Sequence, residues 1–218
     1  MLDLREVDVR GANLSGAMLE GVNLQSARLD QADATRAHLR GCNLREASLA
    51  GATLTEADLQ GVSLGRADLQ GARLNGANLK GADLSGANLQ GADLWSADLT
   101  GCTLKDADLR GADLTDAILD EAILWRADLK AARMAGVRLR DTHLERANLT
   151  GAVGLTWEQG EDAYTDENTL LPAYLLAAPP APPEPTPNVV QIESAARLAS
   201  PTKPATTRRR KPGVLNRA

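Results

Sequence analysis

Apolar residues recur with a period of five along the first 150 residues of the chain. The centres of the five-residue units fall on positions ending in 4 or 9, and 27 of the 30 centres from Leu4 to Leu149 are Leu. Two residues before each centre, 22 of 30 positions are Ala, and most of the others are small and apolar. No insertion shifts this register, so the pattern predicts a repeat architecture built from many equivalent small units.

A period of five fits neither a continuous strand nor a helix. Within one unit, Ala and Leu lie two residues apart, so a short extended segment points both to the same side. The residue between them then points outward, and 17 of these 30 residues are Asp or Asn. The last two residues must form a corner, and the second is Gly in 15 of 30 units, as a corner with permissive dihedrals favours.

The spacing of the glycines indicates the number of sides. Eleven corner glycines occupy positions ending in 1, and only four occupy positions ending in 6. Such a ten-residue superperiod forms stacked columns only if each coil has an even number of sides. We therefore predict an all-β solenoid with four sides, 20 residues per coil and about 7.5 coils, since 30 units are present.

The repeat also resembles a known family. The run GARLNGANLKGADLSGANLQGADLWSADLTGC, residues 71–102, is similar to the A(D/N)Lxx consensus of pentapeptide-repeat proteins. The resemblance covers residues 2–153 and implies a right-handed quadrilateral β-helix; the handedness comes from the resemblance alone. The segment 154–172 resembles the closing segment of many bacterial members. We expect a β-helix over 1–153, a cap segment over 154–177 and a disordered tail over 178–218.

The repeat stops at Gly154, and the segment that follows carries a helix signal. Thr156 and Gln159 have the spacing of a capping box, which predicts a short helix from Trp157 to Tyr164. Because the end of a β-helix exposes strand edges and core, we expect this segment to cover the last coil. The candidates for covering it are Leu155, Trp157, Leu170 and Leu171.

The N-terminal end shows no comparable element, because the repeats begin at Leu2. Two interpretations are open. Either a partner chain, including a second copy in a homo-oligomer, covers the first coil, or charged residues keep it soluble; these residues are Arg5, Glu6, Asp8 and Arg10.

Charge and composition separate the tail from the repeats. Residues 1–150 hold 22 acidic and 17 basic residues, whereas residues 178–218 hold 2 and 7, and all ten Pro lie at or after Pro172. A Pro-rich segment of this kind is expected to be disordered. Its basic cluster is a candidate for weak contact with nucleic acid or an anionic membrane surface, or is simply solvated; it comprises Arg208, Arg209, Arg210 and Lys211.

The start of the chain lacks the features of a signal peptide, and no apolar run reaches membrane-spanning length, so a cytoplasmic location is expected. Cys42 and Cys102 share a column three coils apart, about 14 Å, which exceeds disulfide reach. His38 and His143 lie on different sides without further ligands at metal-binding spacing. We expect no metal, cofactor or small-molecule substrate and no enzymatic activity, since a tube filled by Leu and Ala offers no cleft.

Two sets of surface residues are candidate binding sites. Acidic side chains form stripes on adjacent sides, and stacked like charges cost stability; alternatively, Asp and Asn simply suit the geometry of the corner. Apolar side chains break the outward polar pattern and are candidates for a partner-binding patch, unless the cap segment or tail covers them. The stripes comprise Asp68, Asp108 and Asp128, and Asp93 and Asp113; the patch comprises Ile118, Ile123 and Trp125, with Trp95 on another side.

The leading functional hypothesis is a non-enzymatic interaction or scaffold module for a protein partner. A second hypothesis comes from the resemblance, because some family members mimic DNA, bind DNA gyrase and confer quinolone resistance. Those members use many Phe centres, whereas this chain contains no Phe. A third hypothesis is a structural solenoid that self-assembles through its N-terminal coil.

Overall fold

The computed structural model describes residues 2–176. Within residues 2–153, each outward residue pairs in parallel with the outward residue 20 positions later, from Asp3 with Asn23 to Arg133 with Val153. This register is that of a four-sided β-helix, as predicted from the glycine columns. The predicted disordered tail, 178–218, and its basic cluster at Arg208–Lys211 lie outside the described residues.

The four sides are named here by their outward residues. Face 1 carries residues 3, 23, 43 and so on to 143, and faces 2, 3 and 4 begin at residues 8, 13 and 18. Each side contributes a short extended segment with one paired residue per coil, so the described chain has no longer strand. The described residues contain two helices, α1 at Trp157–Glu161 and α2 at Ala173–Leu176.

Backbone hydrogen bonds account for four of the five N–H groups in a typical unit. In the unit around Asn43, the N–H groups of Asn43, Leu44 and Glu46 donate to carbonyls of neighbouring coils at 2.7–3.0 Å. The N–H of Ala47 closes the corner by donating to the Leu44 carbonyl at 3.1 Å. The fifth N–H, that of Arg45, donates to the Asn43 side-chain oxygen at 3.2 Å. The outward side chain thus completes the hydrogen bonding of its own unit.

This side-chain bond explains the outward preference for Asp and Asn. All 17 outward Asp and Asn residues accept a hydrogen bond from the N–H two residues later, the local arrangement that these short side chains favour. Where the outward residue is Ser48, Asp30 of the preceding coil accepts the N–H of Ala50 instead, at 3.3 Å.

The corner also explains the glycine columns. The second corner residue has φ between 52° and 72° in all 30 units, and 15 of these residues are Gly. A positive φ at this position, together with the hydrogen bond across the corner, is the arrangement of a type II turn. Gly adopts it without steric cost. Of the 15 other residues, 13 donate their N–H to a carbonyl of the next coil, and Asp141 and Arg146 donate to Asp162 and Asp166 of the cap segment.

The inward residues form one continuous core. Every inward residue from Val22 to Ala152 is buried. Cys42 and Cys102 are free and buried, as the sequence predicted for residues that replace Ala. Their thiols donate to the carbonyls of Leu19 and Leu79 at 2.7 and 2.8 Å. Burial raises the pKa of the Cys102 thiol to about 12, so this thiol is protonated and unreactive at neutral pH.

The first coil is less well covered than the others. Leu4, Val7 and Leu19 are only partly buried, although they pack against the core. Leu2, at the same end, is 59% exposed. Within the described residues no element covers this end; whether a partner or the surrounding charges compensate for it stays a prediction.

The C-terminal segment first forms α1 and then resumes pairing with the last coil. The predicted capping box between Thr156 and Gln159 is present at the start of α1. The helix ends at Glu161 rather than at the predicted Tyr164. The reason is that Tyr164 returns to the ladder, where it pairs with His143 and its N–H donates to the Thr142 carbonyl at 2.8 Å.

The residues expected to cover the last coil divide into two groups. Leu155 is buried, Trp157 packs against the core, and Leu171 lines a small enclosed cavity beside Leu155. The prediction was wrong for Leu170, which is 53% exposed. Leu170 pairs with Asn148 and therefore takes the outward position of its segment.

The role of the outward carboxylate predicts a difference between two positions on face 3. Asp93 accepts the N–H of Trp95 at 3.1 Å, whereas Thr53 makes no side-chain hydrogen bond within the described residues. We expect Asp93→Ala to lower the free energy of unfolding by about 1 kcal/mol. Thr53→Ala is the matched control and is expected to change it by less than about 0.5 kcal/mol. Urea unfolding followed by circular dichroism measures both; equal losses would contradict the assignment.

The end of the repeat supplies a second stability prediction. A Cβ at Gly154 would lie 2.7 Å from the backbone nitrogen of Ala135, and the φ of Gly154 is +86°. Gly154→Ala should therefore destabilise the protein by about 2 kcal/mol or more, because backbone must move. Gly111 has φ +65° and open space around it, so Gly111→Ala should cost about 1 kcal/mol. Unfolding midpoints of the two variants measure the difference; a larger loss of stability in Gly111→Ala than in Gly154→Ala would contradict the prediction.

Candidate functional site

Face 1 departs from the outward Asp/Asn pattern near the C-terminal end of the repeats. Its last three outward residues in the repeat are Thr103, Ile123 and His143, which stack in parallel pairing and continue to Tyr164. None of the three is Asp or Asn, so this part of the face lacks the carboxylate and amide oxygens that accept the corner N–H elsewhere. The substitutions change both the polarity and the hydrogen bonding of the surface.

These residues border a shallow depression that includes two of the predicted patch residues. Ile123 is 41% exposed and Trp125 is half-buried. The wall is completed by the stacked coils above and below, which contribute one ammonium group, one imidazole and two carboxylates. The residues that line the depression are Lys105, Ile123, Trp125, His143, Glu145 and Asp166.

Cationic groups surround the indole of Trp125. The Lys105 ammonium lies 4.7 Å from the ring centroid, and the guanidinium carbons of Arg126 and Arg146 lie at 5.1 and 5.8 Å. These distances are within the range of cation–π attraction. Arg126 is paired with Asp106 at 2.8 Å, whereas Lys105 has no carboxylate within 4.0 Å anywhere in residues 2–176. Lys105 is therefore the cation of this group that has no carboxylate partner.

The carboxylates of the depression already have partners. Glu145 lies 3.0 Å from His143 Nδ1, and His143 in turn stacks on Tyr164 with ring centroids 4.8 Å apart. Asp166 accepts the Arg146 N–H at 2.9 Å and the Thr169 hydroxyl at 2.9 Å. These contacts fix the rim of the depression and engage one oxygen of each carboxylate, Glu145 Oε1 and Asp166 Oδ1.

Sequence reasoning missed part of this site. The 20-residue column places Lys105, Trp125 and Glu145 in line, so a column-by-column comparison would have found Lys105. Tyr164 and Asp166 could not be placed in the same way. The pairing partners of His143 and Asn148 lie 21 and 22 residues later, so the cap segment no longer follows the repeat register.

The other two residues of the proposed patch lie elsewhere. Ile118 is half-buried on face 4, where it pairs between Asp98 and Arg138. Trp95 occupies the first corner position after Asp93 on face 3 and is 49% exposed. The structure therefore brings together Ile123 and Trp125 but not Ile118 or Trp95.

The proposed acidic stripes are stacked columns with local partners. The first runs through Asp68, Asn88, Asp108 and Asp128 on face 2, and the second through Asp93 and Asp113 on face 3. Every one of these side chains accepts a backbone N–H within its own unit. Arginines also neutralise part of the charge: Arg110 lies 2.7 Å from Asp108 and 3.9 Å from Asp128, and Arg133 lies 3.5 Å from Asp113.

Neither a cluster of metal ligands nor a membrane-spanning helix occurs in the part of the chain that the structure describes. Residues 2–176 contain no group of three or more His, Cys, Asp or Glu side chains arranged to hold a metal ion. His38 and His143 lie on faces 4 and 1. No helix among the described residues has the length and apolar character needed to cross a bilayer.

Comparison with known families agrees with this architecture. The sequence matches eight copies of the family described as pentapeptide repeats, at residues 3–33, 35–71, 67–106, 97–136, 107–146 and 127–153. The chain belongs to the pentapeptide-repeat family. Its repeat is therefore a right-handed quadrilateral β-helix, as the resemblance implied. A comparison with curated proteins found no match.

Similar solved structures include the following three. HetL, a pentapeptide-repeat protein involved in heterocyst differentiation regulation in the cyanobacterium Nostoc, is 33% identical; the match covers 69% of this chain and 82% of HetL, with a TM-score of 0.53. A pentapeptide-repeat protein of the Arabidopsis thaliana thylakoid lumen is 32% identical, covering 51% of this chain and 77% of that one, with a TM-score of 0.40. QnrB1, a plasmid-mediated fluoroquinolone resistance protein, is 16% identical over 92% of this chain and 100% of that one, with a TM-score of 0.30.

The stripes generate a prediction for pH dependence. Hydrogen bonds from Arg110 lower the pKa of Asp108. A lowered folded-state pKa stabilises the protein above the unfolded value, about 3.9, and this contribution is lost as pH falls through the folded pKa. We expect Asp108→Asn, which can still accept the Arg110 N–H, to reduce the fall in melting temperature between about pH 5 and pH 2. Identical pH profiles for the variant and the wild type would contradict this role.

Proposed function

We propose that this pentapeptide-repeat protein is a non-enzymatic interaction module that binds a protein partner through the face 1 depression. The observation that carries the proposal is the exposure of Ile123 beside Trp125 on a wall that is otherwise polar and regular. Apolar and aromatic side chains of this kind commonly anchor protein interfaces. Repeat solenoids bind through extended surfaces of this type.

A role without catalysis is part of the proposal. The interior of the β-helix is filled by inward Ala and Leu side chains, which leaves the outer walls to carry function. The outward Asp carboxylates accept backbone N–H groups within their own units, so they serve the fold. We place the module in the bacterial cytoplasm, with about 7.5 coils closed by residues 154–177.

The relation to HetL supports a role in regulation through binding. HetL is involved in the regulation of heterocyst differentiation. We propose the same general class of role here, with a partner of its own. The DNA-mimic hypothesis receives no support from the charged columns, since Arg110 and Arg133 pair with their carboxylates.

Partner recovery from the native host tests the proposed surface. Wild-type protein and Trp95→Ala should recover the same partner, because Trp95 is exposed but lies away from the depression. Ile123→Asp/Trp125→Ala should lose that partner, with recovery reduced about tenfold or more. All three proteins should show the same circular dichroism spectrum. Equal recovery by the double variant would overturn the assignment of the surface.

The exposed first coil supports a second proposal, self-association through the N-terminal end. Leu2 is 59% exposed and Leu4 is only partly buried. If a second copy covers these residues, wild-type protein should have a dimeric mass in light scattering, and Leu2→Lys/Leu4→Lys should be monomeric with an unchanged circular dichroism spectrum. A monomeric mass for the wild type over micromolar concentrations would exclude the proposal.

A further inference from the structure

The face 1 depression contains a row of backbone N–H groups without acceptors. In most units the first corner N–H donates to the outward Asp or Asn, but Thr103, Ile123 and His143 accept no such bond in the described chain. As a result, the N–H groups of Lys105, Trp125 and Glu145 have no hydrogen-bond acceptor within residues 2–176.

No other corner column of the repeat has three successive N–H groups in this state among the described residues. The three groups lie one coil apart, which is about 4.8 Å for stacked strands. The middle group belongs to Trp125, which lies two residues after the exposed Ile123 and lines the same depression. The unmet donors and the exposed apolar surface therefore occur at the same place.

The unmet polar groups of the depression are donors. The Lys105 ammonium is a further donor beside the three N–H groups, because it has no carboxylate within 4.0 Å in the described chain. The carboxylates on the rim are already bound, Glu145 by His143 and Asp166 by Arg146 and Thr169. A ligand that fits must supply acceptor oxygens, and carboxylates supply the strongest charge-assisted bonds to an ammonium group.

We propose that the depression binds an acidic peptide segment of the partner protein. Carboxylates of the segment bind Lys105 and the row of N–H groups, while an apolar side chain between them packs on Ile123 and Trp125. This inference rests on the proposed function, because it names the chemistry of the partner at the same surface. The ammonium groups of a basic segment would face Lys105, and both rim carboxylates already have a hydrogen-bond partner.

The test uses a defined peptide with the full-length protein. The probe is the acetylated and amidated peptide Asp-Glu-Leu-Phe-Glu-Asp, with matched peptides that carry Asn and Gln, or Lys, in place of the acidic residues. Titration into isotope-labelled protein, followed by amide and indole NMR shifts, reports both affinity and location. We expect the acidic peptide to shift the amides of Lys105, Trp125 and Glu145 and to bind at least about tenfold more tightly than either matched peptide.

Substitutions separate charge from hydrogen bonding. Lys105→Met should weaken the acidic peptide about three- to tenfold, whereas Lys130→Met, a lysine at another corner column, should leave affinity unchanged. Ile123→Asn adds the missing corner acceptor without charge, and Ile123→Asp adds it with charge. Both should weaken binding, and Ile123→Asp should do so more strongly because it also repels the peptide.

The outcomes distinguish this inference from the function on which it rests. If a neutral or basic peptide shifts the same amides with equal or higher affinity, the acidic chemistry is overturned while the surface remains a docking site. If the acidic peptide produces no shift at these amides at millimolar concentration, the inference is also overturned. Partner recovery with Ile123→Asp/Trp125→Ala then decides independently whether the surface docks a partner.

Discussion

Stacking of backbone hydrogen bonds every 20 residues is the constraint on which the rest of the structure depends. Each coil donates to and accepts from its neighbours through the same atoms of every unit, as in the bonds from Asn43 to Val22 and from Leu44 to Ser63. An insertion of one residue would break this register on every later face. The uninterrupted period of five is therefore a direct consequence of the hydrogen bonding, and it leaves few positions free to vary.

The fifth N–H of each unit links the fold to the surface. The parallel ladder and the corner leave this group without a main-chain acceptor, so an outward Asp or Asn supplies one in 17 units. The acidic appearance of the walls follows from this local requirement. The same requirement makes departures informative, because an outward Ile or His gives up the hydrogen bond that an outward Asp or Asn makes.

On face 1 several departures fall together. Ile123 replaces an acceptor with an apolar side chain, Trp125 adds an indole with Lys105 over its ring, and the cap segment adds Tyr164 and Asp166 at the rim. This part of the wall is therefore a shallow depression that exposes apolar side chains and hydrogen-bond donors without acceptors in the described chain. By contrast, Trp95 is exposed beside Asp93, whose carboxylate retains the usual corner bond. An exposed aromatic residue alone does not reproduce the combination found around Trp125.

The sequence by itself determined the four-sided coil and the buried column that includes Cys42 and Cys102, because both depend on a spacing that repeats without interruption. It also determined the start of α1, because a capping box depends only on two residues three positions apart. It also singled out Ile123 and Trp125 as breaks in an outward pattern. Only the tertiary structure decided that Ile118 lies outside the depression, that Leu170 faces outward, and that Tyr164 stacks on His143. The physical reason is that pairing after residue 153 shifts to 21 and 22 residues, so contacts made by the cap segment depend on its packing against the last coil and not on the repeat.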